Sequence, residues 1–169
     1  MEANDRAILE RRAQALARPL EQPPDAEQET VVTFRRGARY AVPAAAVQTV
    51  RPLPRLEPLV GAPALVAGVV AIRGEVVVVI DPAALFGAVV VEPARTIVVV
   101  TGGALTAGLL ADDVTGIGTI TRATLERPPD SLSRLAQAVG LGLDAHAGLV
   151  LEPMRLFDDI IGIVSGRSA

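Results

Sequence analysis

Three short stretches carry the residue types that acid–base chemistry or cation binding would need. Asp112-Asp113 and Asp158-Asp159 are adjacent acid pairs, and His146 is the single histidine of the chain. Paired carboxylates can exchange protons or bind a cation. Neighbouring residues on a strand point to opposite faces, so a strand that contains Asp112-Asp113 would hold the two carboxylates apart. We therefore expect these groups to be solvated, and we keep an enzyme built on Asp112, Asp113 and His146 as an alternative hypothesis.

Composition excludes several other kinds of site. The chain has no cysteine, which rules out disulfides, thiolate catalysis and zinc thiolate sites. One histidine cannot form a multi-histidine metal site. The segment GGALTAG, residues 102–108, lacks the lysine and the hydroxyl of a phosphate-binding loop at the needed spacing. The sequence therefore predicts no catalytic residues, no metal site and no cofactor.

The distribution of charge argues against nucleic acid as a partner. The chain has 169 residues and a net charge of −3, and all of its 16 basic residues are arginine. Residues 1–29 hold seven acids and four arginines, so the twelve acids and twelve arginines of residues 30–169 balance. No basic stripe or cluster stands out, which a nucleic-acid-binding surface would require.

The N-terminus is charged and has no apolar core of a secretion signal. The longest uninterrupted apolar stretches of the whole chain are far shorter than the roughly 20 residues that span a bilayer. The sequence therefore predicts a cytoplasmic protein with no direct membrane insertion.

An amphipathic helix is predicted over residues 4–18. Its apolar stripe consists of Leu9, Ala13 and Leu16, and Leu20, just beyond the end of the helix, continues the i, i+4, i+7, i+11 spacing of one face. Arg18-Pro19 ends the helix, because the residue before a proline avoids the helical region. Residues 19–29 then form a polar, proline-rich linker. The stripe either packs against the chain's own β domain or grips a partner protein.

After the linker the pattern becomes that of short strands separated by glycine turns. Hairpin turns are predicted at Arg36-Gly37, Arg73-Gly74 and Gly102-Gly103. The predicted strands fall within residues 30–43, 65–72, 75–80, 94–121 and 148–159, the last ending in a helix, with another short helix over 131–140. The spacing of these strands is typical of a barrel or a sandwich.

Two valine-rich runs indicate how these strands are packed. Residues 76–80 and 97–100 are apolar at every position, so both faces of each strand must be buried. A single small open sheet cannot bury both faces. Two packed barrels or a filled sandwich can.

Nothing in the turn Arg73-Gly74 obviously needs the arginine, whose side chain is either simply solvated or available to a partner protein. The glycine makes a tight turn between two buried strands, and the arginine side chain then lies in solvent at a fixed position. A guanidinium group offers five donors to a carboxylate or a carbonyl of a partner.

Ordered motifs over residues 30–160 resemble the CheW family, the chemotaxis coupling proteins. The motifs that carry the resemblance are Tyr40-Ala41-Val42, Val47-Gln48-Thr49-Val50, Ala62-Pro63, Gly68-Val69-Val70-Ala71-Ile72-Arg73-Gly74, Ile80-Asp81, GLLADDV at 108–114 and GLVLEPMRLF at 148–157. Each motif alone is weak, but their joint order is specific and covers about three quarters of the chain.

The resemblance implies a mainly β fold of two small five-stranded barrels that share an apolar core. It also implies a non-catalytic adaptor that couples the cytoplasmic tips of methyl-accepting chemoreceptors to the regulatory domain of a CheA-type histidine kinase. The partner-binding residues that it implies are Arg73, Gly74, Glu75, Val47 and Thr49.

The sequence departs from the family pattern at two of its motifs. Thr49 stands where the family has a glutamate, and Ala71 stands where it has an asparagine. The alternative to the coupling role is therefore a divergent module that has lost receptor binding and recruits a different partner, partly through its N-terminal helix. In either case we expect three regions: residues 1–29 as helix and linker, 30–160 as the CheW-like domain, and 161–169 as a C-terminal tail.

Overall fold

The structure of the protein is a computed structural model that describes residues 27–88 and 90–164, with side chains described as far as Ile161. Over these residues the chain is mostly β, with ten strands in two five-stranded sheets and few helices. The strands are β1 (Gln28–Arg36), β2 (Ala38–Pro43), β3 (Val47–Pro52), β4 (Val66–Ile72), β5 (Glu75–Ile80), β6 (Thr96–Gly102), β7 (Leu105–Ala111), β8 (Asp113–Thr121), β9 (Gly140–Leu143) and β10 (Leu149–Leu151). The α-helices are α1 (Arg134–Val139) and α2 (Pro153–Val164), and the 3-10 helices are η1 (Ala44–Ala46), η2 (Pro82–Phe86) and η3 (Arg122–Thr124). The predicted fold class is confirmed.

The three predicted hairpin turns are all present. Gly37, Gly74 and Gly103 have φ values of 70°, 84° and 61°, in the left-handed region where only glycine is free of a Cβ penalty. The paired residues that flank them, such as Ile72 with Glu75, leave only one or two residues in each turn. These hairpins could be predicted from the sequence because a glycine interrupts each apolar run where the chain reverses.

The two sheets have the same succession of antiparallel and parallel pairings, although their strands follow one another differently along the chain. One sheet runs β8-β1-β2-β10-β9 and the other runs β3-β6-β7-β5-β4. Each has one parallel pair, β2 with β10 and β7 with β5, at the same place in the order. We call the first sheet barrel 1 and the second barrel 2. Barrel 2 is one continuous stretch of chain, whereas barrel 1 combines strands from both ends of the domain.

Each sheet is closed by one isolated pair of backbone hydrogen bonds at equivalent places. In barrel 2, Glu57 follows edge strand β3 and pairs with Val69 of the opposite edge strand β4, with both N···O distances 2.9 Å. In barrel 1, Glu126 follows β8 and pairs with Leu143 of β9, at 3.0 and 2.8 Å. These pairs join the two edges of each sheet, which removes part of the open edge and makes each sheet a small barrel.

A glycine permits each of these closures. Gly68 has φ +151°, and a Cβ there would collide with the backbone carbonyl of Glu57. We expect Gly68→Ala to lower the free energy of unfolding by about 3 kcal/mol, measured by urea denaturation, because backbone atoms on both sides of the closure would have to move.

Gly61 supplies the matched control, since its φ is +77° but no atom lies near its Cβ position. Gly61→Ala should cost only the left-handed strain of about 1–2 kcal/mol. Equal losses in the two variants would mean that strain alone, and not the closing contact, explains the effect at Gly68.

Apolar side chains from both barrels meet in one shared core. Its buried members include Val32, Phe34, Tyr40 and Val42 from barrel 1 and Ile80, Val98, Val100 and Leu109 from barrel 2. Barrel 2 also encloses a core of its own, which contains Val70, Ile72, Val77, Val79, Ile97, Val99 and Leu110. Alternate residues of 97–100 enter different cores, which confirms that this run is buried on both faces.

The same prediction is wrong at one end of the other valine run. Val77, Val79 and Ile80 are buried, but Val78 is only half-buried and Val76 is 75% exposed. Val76 is the second residue after the turn Arg73-Gly74, at the end of strand β5 that lies outside the shared core. The end of a hairpin projects beyond the layer that covers its middle, and a run of identical residues gives no sign of where this happens.

Several boundaries differ from those expected. Strand β1 begins at Gln28 inside the predicted linker, and α2 continues to Val164. Strand β9 was not predicted, because its sequence Gly-Leu-Gly-Leu is short and glycine-rich. The predicted helix over residues 4–18, with Leu9, Ala13, Leu16 and Leu20, lies outside the described residues. Among the described helices, none is both long and apolar enough to cross a membrane.

Tyr40 places a polar group inside the shared core. The side chain is 1% exposed, stacks on Phe34 at a ring distance of 5.5 Å, and donates a hydrogen bond from its hydroxyl to the carbonyl of Pro82 at 2.8 Å. Burial raises the pKa of the Tyr40 phenol well above its usual value, and the negative charge of Asp81 raises this pKa further.

The alkaline stability of this protein should depend on this one residue. The chain has one tyrosine and neither lysine nor cysteine, so the Tyr40 phenol is the only group whose ordinary pKa lies between about 9 and 12. Because its pKa is raised in the folded state, the native protein holds the proton longer than the unfolded chain does. Stability is therefore complete below about pH 10 and falls above it, by up to about 1.4 kcal/mol per pH unit.

Urea denaturation at a series of pH values measures this dependence, with phenolate absorbance as a second signal. In Tyr40→Phe the decline between about pH 10 and 12 should disappear, while the stability at neutral pH falls by about 1 kcal/mol for the lost hydrogen bond. An unchanged alkaline decline in Tyr40→Phe would contradict the assignment.

Candidate partner-binding interface

The residues that could do chemistry are not brought together. Asp113 and Asp158 are exposed, and His146 lies exposed in the loop between β9 and β10. Asp112 is half-buried and its carboxylate is fully engaged, as described next. Within the described part of the chain, no cluster of three or more acids and histidines could hold a metal ion.

Asp112 belongs to a partly buried ion cluster where the two barrels meet. The Arg36 guanidinium donates to both carboxylate oxygens of Asp81, at 3.0 and 2.9 Å, and to Oδ1 of Asp112 at 2.7 Å. It also donates to the carbonyl of Glu92 at 2.9 Å, and Asp112 accepts from the backbone N–H of Gly37 at 3.0 Å. The hydrogen bond to Asp81 raises the pKa of Arg36, although burial opposes this. Arg36 comes from barrel 1 and Asp81 from barrel 2, so the cluster fixes one barrel against the other.

Arg73 is held in a different way, by the backbone of the hairpin between β4 and β5. Ile72 pairs with Glu75, and the two residues between them have φ values of 51° for Arg73 and 84° for Gly74. Positive φ at both central positions is typical of the tight hairpin turn that matches strand twist. The left-handed region costs an arginine about 1–2 kcal/mol, and strain of this kind is concentrated at functional sites.

The Arg73 side chain is exposed and has no hydrogen bond or ion pair with any residue that the structure describes. Arg36, Arg55 and Arg122 each form ion pairs. The rigid turn thus presents an uncommitted guanidinium group, whose planar donors suit a carboxylate or carbonyl of another protein.

Exposed apolar side chains lie beside this arginine. On one face of β5 the side chains pass from buried Ile80 through half-buried Val78 to exposed Val76, and Val76 pairs with exposed Ala71. The parallel register of β5 and β7 places Val76 level with Leu105, which is 42% exposed.

Met154 of α2, 47% exposed, contacts the Cβ position of Gly103 in the neighbouring turn and extends this group. We call Ala71, Val76, Leu105 and Met154, together with Arg73 and Glu75, the barrel 2 surface. Contiguous exposed apolar groups with a charged rim mark protein–protein contacts.

Val47 and Thr49 lie on β3, the other edge strand of barrel 2. Both are half-buried; Val47 pairs with Val100 and packs against the shared core. The register places the start of β3 at the same end of barrel 2 as the turn Gly102-Gly103, which is also the end that carries Arg73. Among the described residues, however, no side-chain hydrogen bond joins Val47 or Thr49 to the hairpin of Arg73.

Sequence reasoning found the arginine and missed the apolar part of the barrel 2 surface. Val76 was assigned to a buried run, and Leu105 and Met154 carry no local signal because their exposure depends on which strands are neighbours. The predicted turn at Arg73-Gly74 implies that Ala71 pairs with Val76 near the end of the hairpin, and this pairing could have indicated that these two apolar residues are exposed.

Comparisons with known proteins agree with this architecture. A family model described as a CheW-like domain matches residues 30–160. The curated chemotaxis protein CheW of Rhizobium meliloti (strain 1021) is 30% identical over 124 residues, which is 72% of this chain and 80% of that protein. The crystal structure of the scaffolding protein TtCheW from Thermoanaerobacter tengcongensis superposes with a TM-score of 0.64 at 21% identity, covering 78% of this chain and 94% of that one. The last likeness is one of fold.

Proposed function

The chain belongs to the CheW-like family, and from that premise we propose that it is a non-catalytic adaptor of a bacterial chemosensory array. In this role it couples the cytoplasmic tips of chemoreceptors to the regulatory domain of a CheA-type histidine kinase, and it acts in the cytoplasm. Such a protein works through its surfaces, which agrees with the scattered positions of its acids and its histidine.

The observation that carries the proposal is the state of Arg73. The residue adopts a strained conformation at the tip of a hairpin, yet its side chain forms no hydrogen bond or ion pair within the described domain that would compensate. Arginine is one of the residues enriched among binding hot spots, and the exposed apolar side chains beside it can exclude water from the contact. We assign the receptor tip to this barrel 2 surface.

The two departures from the family pattern make this surface more apolar and less charged, but they leave Arg73 and its apolar neighbours in place. Ala71 faces outward beside Val76, so alanine in place of asparagine extends the apolar area. Thr49 keeps a hydroxyl group but cannot form an ion pair. The receptor tip that binds here should accordingly offer apolar side chains together with an acceptor for Arg73.

Binding measurements with purified components test the proposal. The full-length protein is titrated with the receptor cytoplasmic tip and with the kinase regulatory domain of the same host, and a mixture of all three is run on a sizing column. We expect binding to each component and a ternary complex, since an adaptor must hold both at once. Binding to neither component would reject the coupling role.

A further inference from the structure

A groove opens along the seam of barrel 1, far from the residues assigned above. It has a volume of about 490 Å³ and lies between the outer side of β8 and the loop that joins β9 to β10. Its lining is mixed: the apolar residues Val31, Ile117, Ile120 and Leu125 are accompanied by threonines and by the polar or charged residues Arg39, Glu126, Asp144 and His146.

The groove exists because the two barrels differ in one hairpin. In barrel 2, β4 and β5 are seven and six residues long, whereas the equivalent β9 and β10 in barrel 1 have four and three. The pair of Glu126 with Leu143 closes barrel 1 only at the loop end of this short hairpin, where Leu143 also pairs with Leu149. Most of the nine-residue strand β8 is therefore left without a neighbour on its outer side among the described residues.

Strand β8 lacks most of the features that normally protect an open edge. Residues 114–121, VTGIGTIT, contain no charge and no proline, and only a bulge near Thr115 disturbs its pairing with β1. Ile117 projects outward and is 77% exposed, while Gly116 and Gly118 leave space on the inner face. An exposed apolar edge of this kind needs a cover.

The chain itself supplies a segment of suitable length that begins beside the groove. The first paired residue of β1, Gln28, lies opposite Thr121 at the end of β8, and Thr121 also lines the groove. Ile117 is four residues further along β8, about 14 Å away at 3.4 Å per residue. The proline-rich residues 19–26 can span about 25 Å at 3.1 Å per residue, so the segment before them reaches the groove.

We propose that residues 1–26 dock onto this groove of their own chain and cover strand β8. The predicted helix over residues 4–18 would be about 22 Å long, which is comparable to the length of the open edge. The groove is too small for a helix but has room for several side chains. The stripe of Leu9, Ala13, Leu16 and Leu20 enters it and packs on Ile117, with the helix lying above. This inference is independent of the proposed coupling role.

A single spin label on the full-length protein tests the docking. The chain has no cysteine, so Ala17→Cys gives one labelling site beside the apolar stripe. In ¹⁵N NMR spectra we expect the label to remove the amide signals of Gly116, Ile117 and Gly118 and to leave those of Gly74 and Gly103, at the distant end of barrel 2, unchanged. Unchanged signals from β8, or broadening centred on barrel 2, would overturn the proposal.

Variants in the labelled protein separate docking from accidental proximity. Leu9→Asp with Leu16→Asp, or Ile117→Asp alone, should restore the β8 signals, whereas Val60→Asp, at a fully exposed apolar residue in the loop between β3 and β4, should not. All four positions are at the surface or outside the domain, and the dispersion of the remaining signals reports that the fold is intact. Failure of both stripe and Ile117 variants to restore the signals would reject the contact.

The same label distinguishes the other occupants. A mixture of labelled protein without ¹⁵N and unlabelled ¹⁵N protein should show no broadening if the segment docks on its own chain. Broadening in this mixture would assign the groove to the segment of a second copy and overturn docking within one chain.

Discussion

Replacing Arg36 with alanine is expected to lower the free energy of unfolding by about 3–5 kcal/mol, the usual loss when one partner of a buried ion pair is removed. The Arg36 side chain is only 6% exposed, and its guanidinium neutralises both Asp81 and Asp112. Without it, two half-buried carboxylates face each other and the carbonyl of Glu92 loses its donor. Urea denaturation followed by circular dichroism measures the change.

Arg35→Ala is the matched control for this prediction. Arg35 is the preceding residue of β1, but its side chain is exposed and no ion pair involves it among the described residues. It should change stability by no more than about 0.5 kcal/mol. Adding Asp112→Asn to Arg36→Ala should recover part of the loss, because one uncompensated charge is then removed. A loss below about 1 kcal/mol for Arg36→Ala would mean that solvent screens the cluster.

Replacing Arg73 with glutamate is expected to weaken binding to the receptor tip by about 2–4 kcal/mol, roughly 30- to 1,000-fold. The substitution reverses the one positive charge of the barrel 2 surface. It removes no contact within the described domain, so the melting temperature should stay within a few degrees. Titration calorimetry with the receptor tip and a thermal melt of the free protein measure the two quantities.

Arg73→Asn separates the two properties of the residue. Asparagine tolerates the left-handed region better than arginine does, so this variant should be as stable as the natural protein or more stable, and should still lose binding. Arg127→Glu, at an exposed arginine of barrel 1, controls for the change in net charge and should keep receptor binding. Strong receptor binding by Arg73→Asn, or a large loss of stability, would show that Arg73 serves the turn and not a partner.

The sequence was most informative where structure depends on neighbouring residues. The three glycine turns and the run at 97–100 follow from local pattern, and the ordered motifs led to the family and therefore to the barrels. Arg36 shows the limit of this reasoning. The sequence Arg35-Arg36-Gly37 is typical of an exposed turn, so Arg36 is expected at the surface. Its partners Asp81 and Asp112, however, lie 45 and 76 residues away along the chain. Only the packing of one barrel on the other buries it.

The same limit applies to the candidate site. Arg73 could be selected because a glycine turn does not need an arginine. Val76 could not, because whether a valine at the end of a buried run is covered depends on strands distant in sequence. The equivalent pairing of the two sheets could not be predicted either. The residues show no repeat, and barrel 1 combines strands from both ends of the domain whereas barrel 2 is continuous.

The division of barrel 1 between the two ends of the domain has a consequence for synthesis on the ribosome. Barrel 2 is complete once Ala111 has emerged, so it can fold while translation continues. The hairpin of β1 and β2 is made first but must wait for its neighbours, since Gln28 pairs with Thr121 and Tyr40 with Leu149. The first two strands of this domain to be synthesised are thus the last to be enclosed, and during that interval their edges are open to chaperones or to other nascent chains.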